Sequence, residues 1–176
     1  YRHIADRILE ALPDARFPYT DVAKDSEYYS DVEFMYTHGY MNGLTDAEFG
    51  PDEAFTKAAL AQALYNIAGT PEVDTGNVAF SDIDSSDPTF NAAAWATSNG
   101  VLSAKNGKFA PDSGITVFNF VLSLVKLSCA GNFVLAKVIK TMVLAFNIIK
   151  DFGFASFNTT LNRAQAAHLL VDYCGI

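Results

Sequence analysis

Three stretches of the chain carry an apolar stripe at helical spacing. Leu60, Leu64 and Ile67 form the first, Phe120, Leu124 and Leu127 the second, and Ala166, Leu170 and Tyr173 the third. The i, i+4, i+7 spacing puts each set on one face of a helix. A good helix-capping residue stands shortly before each stripe: Thr56, Thr116 and Asn162. Upstream, further helical stretches end at glycine, Gly39 and then Gly43 in "THGYMNG" and Gly100 in "SNGVLSA". A left-handed glycine closes a helix well, and it also lets a ligand approach the backbone. The pattern predicts an all-α fold of three helix-loop-helix units whose second helices bury their stripes in a central bundle.

The units repeat in detail. "YTDV" at 19–22 returns as "FSDI" at 80–83, 61 residues on, and Phe34 returns as Trp95 at the same offset. One extra loop residue in the first unit then shortens the offset to 60, so that Phe49, Pro51, Asp52 and Thr56 match Phe109, Pro111, Asp112 and Thr116. A third, worn copy runs over "FNIIKDFGFASFNTTLNRAQAAHLL" (146–170); there Leu161-Asn162-Arg163-Ala164 aligns with Phe55-Thr56-Lys57-Ala58 and Met142 takes the Trp95 slot. The expected organisation is a leading helix in 1–16, stopped by Pro13, unit one at 17–70, a polar linker and unit two at 71–130, and unit three at 131–176, in one compact domain. Asp21 and Asp82 precede the first helices and are expected to cap or brace them.

Composition narrows the chemistry. The 176 residues are half hydrophobic and 18% charged, which suits a packed core. A net charge of −8 argues against a nucleic-acid binder, whose phosphate contacts need clustered Lys and Arg. The apolar run at 132–149 is broken by Lys137 and Lys140, so it reads as a buried helix and not as a membrane span. Cys129 and Cys174 fit no metal spacing and read as buried thiols, with a disulfide between them as the alternative. "DIDSSD" at 82–87 lacks the glycine and closing glutamate of a calcium loop, and the three histidines have no ligand spacing. No metal, no cofactor and no catalytic pair is read from the sequence, and an enzyme is not expected. The chain begins at Tyr1 without Met and reads as a fragment or a mature region.

The order aromatic-Ser/Thr-Asp-Val, Gly-ended helix, Phe-x-Pro-Asp, then Thr-Lys/Arg-Ala resembles the S-layer homology (SLH) domain. It rests on "YTDV", "FSDI", "FGPDEAFTKA" and "FAPDSGITVF", with "LNRAQAA" carrying it into unit three. The resemblance implies a pseudo-threefold spindle whose inter-repeat grooves bind a bacterial secondary cell-wall polysaccharide, often through a pyruvylated sugar. It implies an extracellular module at the bacterial surface that anchors a covalently linked cargo domain. The family motif often reads Thr-Arg-Ala-Glu; Ala59, Asn119, Asn162 and Val117 depart from it.

Physical reasoning supplies candidate roles for the matching residues. Lys57 and Arg163 stand one residue after their caps, where free helix N–H groups, the macrodipole and the side-chain charge would converge on a carboxylate. Thr56 and Asn162 would cap the helices beneath them. Trp95 could stack on a sugar face or be core. Asp21, Asp82, Gly39, Gly43 and Gly100 complete the candidate glycan-binding set, each first explained structurally, the aspartates as caps and the glycines as backbone requirements. The alternative function is a structural or protein-interaction module, its partner face drawn from the apolar run 115–149, in which glycan binding has decayed.

Overall fold

A computed structural model describes residues 17–129 and 157–175. The predicted leading helix, the first helix of unit three with Met142, and the apolar run at 132–149 lie outside the described residues. Five α-helices are described: α1 (Tyr29–Thr37), α2 (Lys57–Ile67), α3 (Phe90–Ser98), α4 (Val117–Cys129) and α5 (Arg163–Cys174). The architecture is all-α. Unit one supplies α1 and α2, unit two α3 and α4, and α5 is the second helix of unit three. Among the described residues no helix is long and apolar enough to cross a membrane.

The second helices begin in a closed ring of backbone hydrogen bonds. Phe55 N–H donates to Leu161 O (2.8 Å), Leu161 N–H to Ile115 O (2.9 Å), and Ile115 N–H to Phe55 O (2.8 Å). These three residues hold equivalent places in the three units, each just before a cap, and Phe55 and Leu161 have no exposed surface. Isolated bridges Ala54–Asn162, Thr56–Gly114 and Thr116–Thr160 flank the ring. The sequence pattern gave no sign of this pairing, because one extended residue per unit is too short to show a period of two.

Below the ring the predicted stripes form the core. Leu60, Leu64, Phe120, Leu124, Ala166 and Leu170 are fully buried, while Ile67, Leu127 and Tyr173 pack at its edge. The packing also crosses between units. Helix α2 of unit one lies against α3 of unit two, and α5 of unit three lies against α1 of unit one. Tyr65 on α2 meets the Trp95 ring on α3, with centroids 5.6 Å apart. His168 on α5 bonds Asp31 on α1 through Nδ1, at 2.7 Å.

The glycines divide into two kinds. Gly39 and Gly100 follow α1 and α3 at φ +67° and +68°, as left-handed closers do. Gly43 does not share that conformation, contrary to expectation. Its N–H donates to Tyr19 Oη at 2.5 Å, and a Cβ there would lie on the edge of that ring and 2.6 Å from Thr45 O. Gly43 is thus required for close approach. The cysteine reading is also corrected for one residue: both thiols are free, but Cys129 is exposed and only Cys174 is half-buried.

Gly43→Ala is expected to cost more than Gly39→Ala. The first must displace backbone, about 1–3 kcal/mol; the second meets open space and costs about 1 kcal/mol for its left-handed φ. Urea unfolding of the two variants measures the order.

Candidate functional site

The helix N-termini come first, because the expected anion site depended on their free N–H groups. A helix leaves its first N–H groups without internal partners. In α2, Lys57 N–H donates to Ser113 O and Ala58 N–H to Pro111 O, both in unit two, while Ala59 N–H donates to Thr56 Oγ1 at 3.2 Å. In α4 the same three roles fall to Thr159 O, Phe157 O and Thr116 Oγ1. In α5 they fall to Glu53 O, Pro51 O and Asn162 Oδ1. Asn162 and Gln165 form a full capping box. The caps Thr56 and Asn162 act as expected. The free N–H groups do not exist in these three helices: each neighbouring unit supplies the missing acceptors, so no ligand can be held by their N-terminal N–H groups.

The two cations follow the same direction around the ring. Lys57 Nζ donates to Ser103 O at 2.7 Å and to Phe109 O at 2.5 Å, and lies 4.4 Å from the centre of the Phe109 ring. Arg163 Nε donates to Phe49 O at 2.7 Å and Nη2 to Asn42 O at 2.5 Å, with Cζ 4.6 Å from the centre of the Phe49 ring. Lys57 therefore clasps the loop of unit two, and Arg163 the loop of unit one. Unit two offers Val117 in this position, fully buried. Burial pulls the Lys57 pKa below its usual value, against the opposing charge of Asp82. Burial does the same to Arg163, opposed by Tyr19 and Asp21. Arg163 is 6% exposed, whereas Lys57 is half-buried.

Asp21 and Asp82 brace the clasped loops and do not cap the first helices as expected. Asp21 accepts from Phe49 N–H and Gly50 N–H at 2.8 and 2.7 Å, and Asp82 from Phe109 N–H and Ala110 N–H at 2.9 and 2.7 Å. Each carboxylate grips two successive N–H groups at a turn whose second residue is left-handed, with φ +71° at Gly50 and +59° at Ala110. The Phe109 and Ala110 bonds hold the Asp82 carboxyl below the usual carboxylate range. Asp84 and Asp87 of the "DIDSSD" stretch are occupied locally by Ser86 and Thr89. Trp95 is 7% exposed and packs in the core.

The structure thus brings Lys57 and Asp82 together with the loop at 103–110, and Arg163 and Asp21 together with the loop at 42–50. Thr56 and Asn162 cap the helices that carry the two cations. Gly43 borders Asn42 in the second junction. Gly39 and Gly100 lie at the helix ends, upstream of the loops. Sequence reasoning missed Ser103, Phe109, Asn42 and Phe49 as contacts, since their backbone carbonyls, and not their side-chain polarity, meet the cations.

Arg163→Ala strips donors from two carbonyl oxygens and is expected to destabilise the chain by about 2–3 kcal/mol. Lys57→Ala, at a wetter position, is expected to cost about 1 kcal/mol; denaturant midpoints separate the two. Asp82 also sets a pH dependence. Its folded pKa is depressed, so its contribution is full above the unfolded value of about 3.9 and is lost as pH falls through the folded value. Asp82→Asn is expected to lower Tm at neutral pH and to flatten the loss of Tm between about pH 4 and pH 2. Thermal melts across that range test it.

The S-layer homology domain model matches residues 18–61 and 79–116. The matches take in both Asp-braced loops and the ring residue Phe55 of unit one and Ile115 of unit two. No curated protein matches the chain. Domains of this family are binding modules that attach proteins to the bacterial cell wall and have no catalytic role. This chain carries two tandem S-layer homology repeats, at 18–61 and 79–116.

Proposed function

We propose that the chain anchors an exported protein through a pyruvylated secondary cell-wall polysaccharide, whose carboxylate meets Lys57 and Arg163 at the junctions between units. One observation carries the reading. Both cations are drawn out of water, yet among the described residues neither has a carboxylate within ion-pair distance, in a chain with 20 acidic residues. Carbonyl oxygens and ring faces surround them instead. A desolvated cation held by dipoles alone gains from an incoming carboxylate more than a solvated surface cation does. Lys57 retains a third N–H, and Arg163 Nη1 makes no hydrogen bond among the described residues, so each has a donor to give. Asp21 and Asp82 hold the loops that the cations grip. Thr56, Asn162, Gly39, Gly43 and Gly100 support the backbone around them. Trp95 belongs to this reading only through the edge that its packing leaves exposed.

A second reading has its own support. Phe118, Leu122 and Phe157 are exposed at 54%, 37% and 46%, and Phe118 N–H bonds Phe157 O, so exposed apolar residues of α4 and of the loop before α5 stand side by side. A protein-binding module with decayed glycan binding would use such a surface.

The test is a titration of the full 176-residue chain with purified wall glycopolymer, with and without its pyruvyl groups. The expected result is pyruvyl-dependent binding that weakens at least about tenfold, or about 1.4 kcal/mol, in Lys57→Ala or Arg163→Ala. A folded chain that binds neither polymer ends the anchor reading and favours the protein-binding one.

A further inference from the structure

The two junctions have the same backbone and opposite charge. Leu44 N–H bonds Glu48 O in the loop of unit one, as Lys105 N–H bonds Lys108 O in the loop of unit two. By this register Leu44 corresponds to Lys105 and Glu48 to Lys108, and the extra residue of unit one falls in Thr45-Asp46-Ala47. Further along, Glu53 in unit one corresponds to Ser113 in unit two, since each gives its carbonyl to the first N–H of a second helix. Asp52 and Asp112 are common to both. At the Lys57 junction Asp82 senses Lys57 and Lys108, and Lys105 pairs with Lys108 across the loop turn. Arg163 senses Asp21, and the loop it clasps, with the turn that follows, carries Asp46, Glu48 and Glu53 in the chain.

The lysine pair is built in a specific way. Lys105 and Lys108 exchange both backbone hydrogen bonds, at 2.9 and 3.0 Å, across a two-residue turn of Asn106 and Gly107 at φ +53° and +73°. Directly opposed residues of such a hairpin project from one face, about 5 Å apart at Cβ. Two like charges so placed repel each other, and both residues are exposed, so the pairing contributes nothing to the core. The hairpin also spans the two carbonyls, Ser103 O and Phe109 O, that hold the Lys57 ammonium. Asp82, which both Lys57 and Lys108 sense, already spends its two oxygens on Phe109 N–H and Ala110 N–H.

We propose that the Lys57 junction is the working glycan groove, and that Lys105 and Lys108 make it select a wall glycan with two anionic groups on neighbouring sugars. This rests on the carboxylate-binding reading above and narrows it from the two candidate cations to Lys57 alone. One anion meets Lys57 and the second relieves the lysine pair. The Arg163 junction repels such a ligand through Asp46, Glu48 and Glu53, and its guanidinium serves to lock unit three to unit one.

Two defined probes test this by calorimetry on the full chain: a pyruvylated hexosamine glycoside with one carboxylate, and a disaccharide of it with a neighbouring uronic acid. Wild type is expected to bind the two-charge probe at least about tenfold more tightly, with the advantage fading in high salt. Lys105→Ala and Lys108→Ala are each expected to lose about threefold or more on that probe and less than about twofold on the other. Lys24→Ala removes one exposed charge from a different loop and controls for net charge. Replacing the uronate by a phosphate ester asks whether any second anion serves; a retained advantage supports the charge-based reading, and a lost one restricts it to carboxylates. Equal affinity for both probes overturns the proposal, as does insensitivity to the Lys105 and Lys108 changes while Lys57→Ala abolishes binding; the carboxylate reading then stands. Loss confined to Arg163→Ala moves the groove to the other junction and overturns it too. Binding of neither probe nor polymer by wild type removes the carboxylate reading itself.

Discussion

Everything in this fold hangs on a shared solution to one problem, the unsatisfied N–H groups at the start of a helix. Three second helices begin side by side, and each has its first two N–H groups filled by carbonyls of a neighbouring unit. The ring among Phe55, Ile115 and Leu161 fixes the spacing that makes this possible. Buried polar groups are costly when unpaired. A unit on its own would leave its N-terminus unsatisfied at the centre of the molecule. The described parts of the three units are therefore tied to one another through shared backbone hydrogen bonds at their helix starts.

The cations extend the same interlock outward. Lys57 and Arg163 each cross from their own helix to the loop of another unit, and each finds that loop already shaped by an aspartate holding two successive N–H groups. Loop shape, cation position and helix start are thus coupled. Val117 breaks the pattern in α4, where a buried apolar side chain replaces the clasp. The two remaining clasps differ in depth, and a deeply buried guanidinium with two carbonyl partners has more structural work and less freedom than a half-buried ammonium.

On the proposed function, anchoring and stability draw on the same residues. Carbonyl dipoles hold a cation without neutralising it, which stabilises the fold while leaving net positive charge at a junction. In an acidic chain this is a local reversal of the field, and such reversals set where an anionic polymer can settle. The family assignment, cell-wall attachment by S-layer homology repeats, agrees with that electrostatic picture without depending on it.

The helix faces, the caps and the repeat were legible from residue order alone. Leu60, Leu64, Phe120, Leu124, Ala166 and Leu170 announce their burial by spacing, and Thr56 and Asn162 announce their caps by type. Those are local properties, fixed by the 3.6-residue turn and by side-chain reach. What Asp21, Asp82, Gly43, Lys57 and Arg163 touch was not legible in the same way. Their partners lie between 24 and 121 residues away and are mostly backbone N–H or C=O groups, which every residue possesses and which therefore leave no mark in a sequence. The sequence determined that two of the three second helices would carry a cation just after the cap; only the tertiary structure decided that neighbouring units, and not a ligand, would take their N–H groups, because closing the ring places those carbonyls within hydrogen-bond distance.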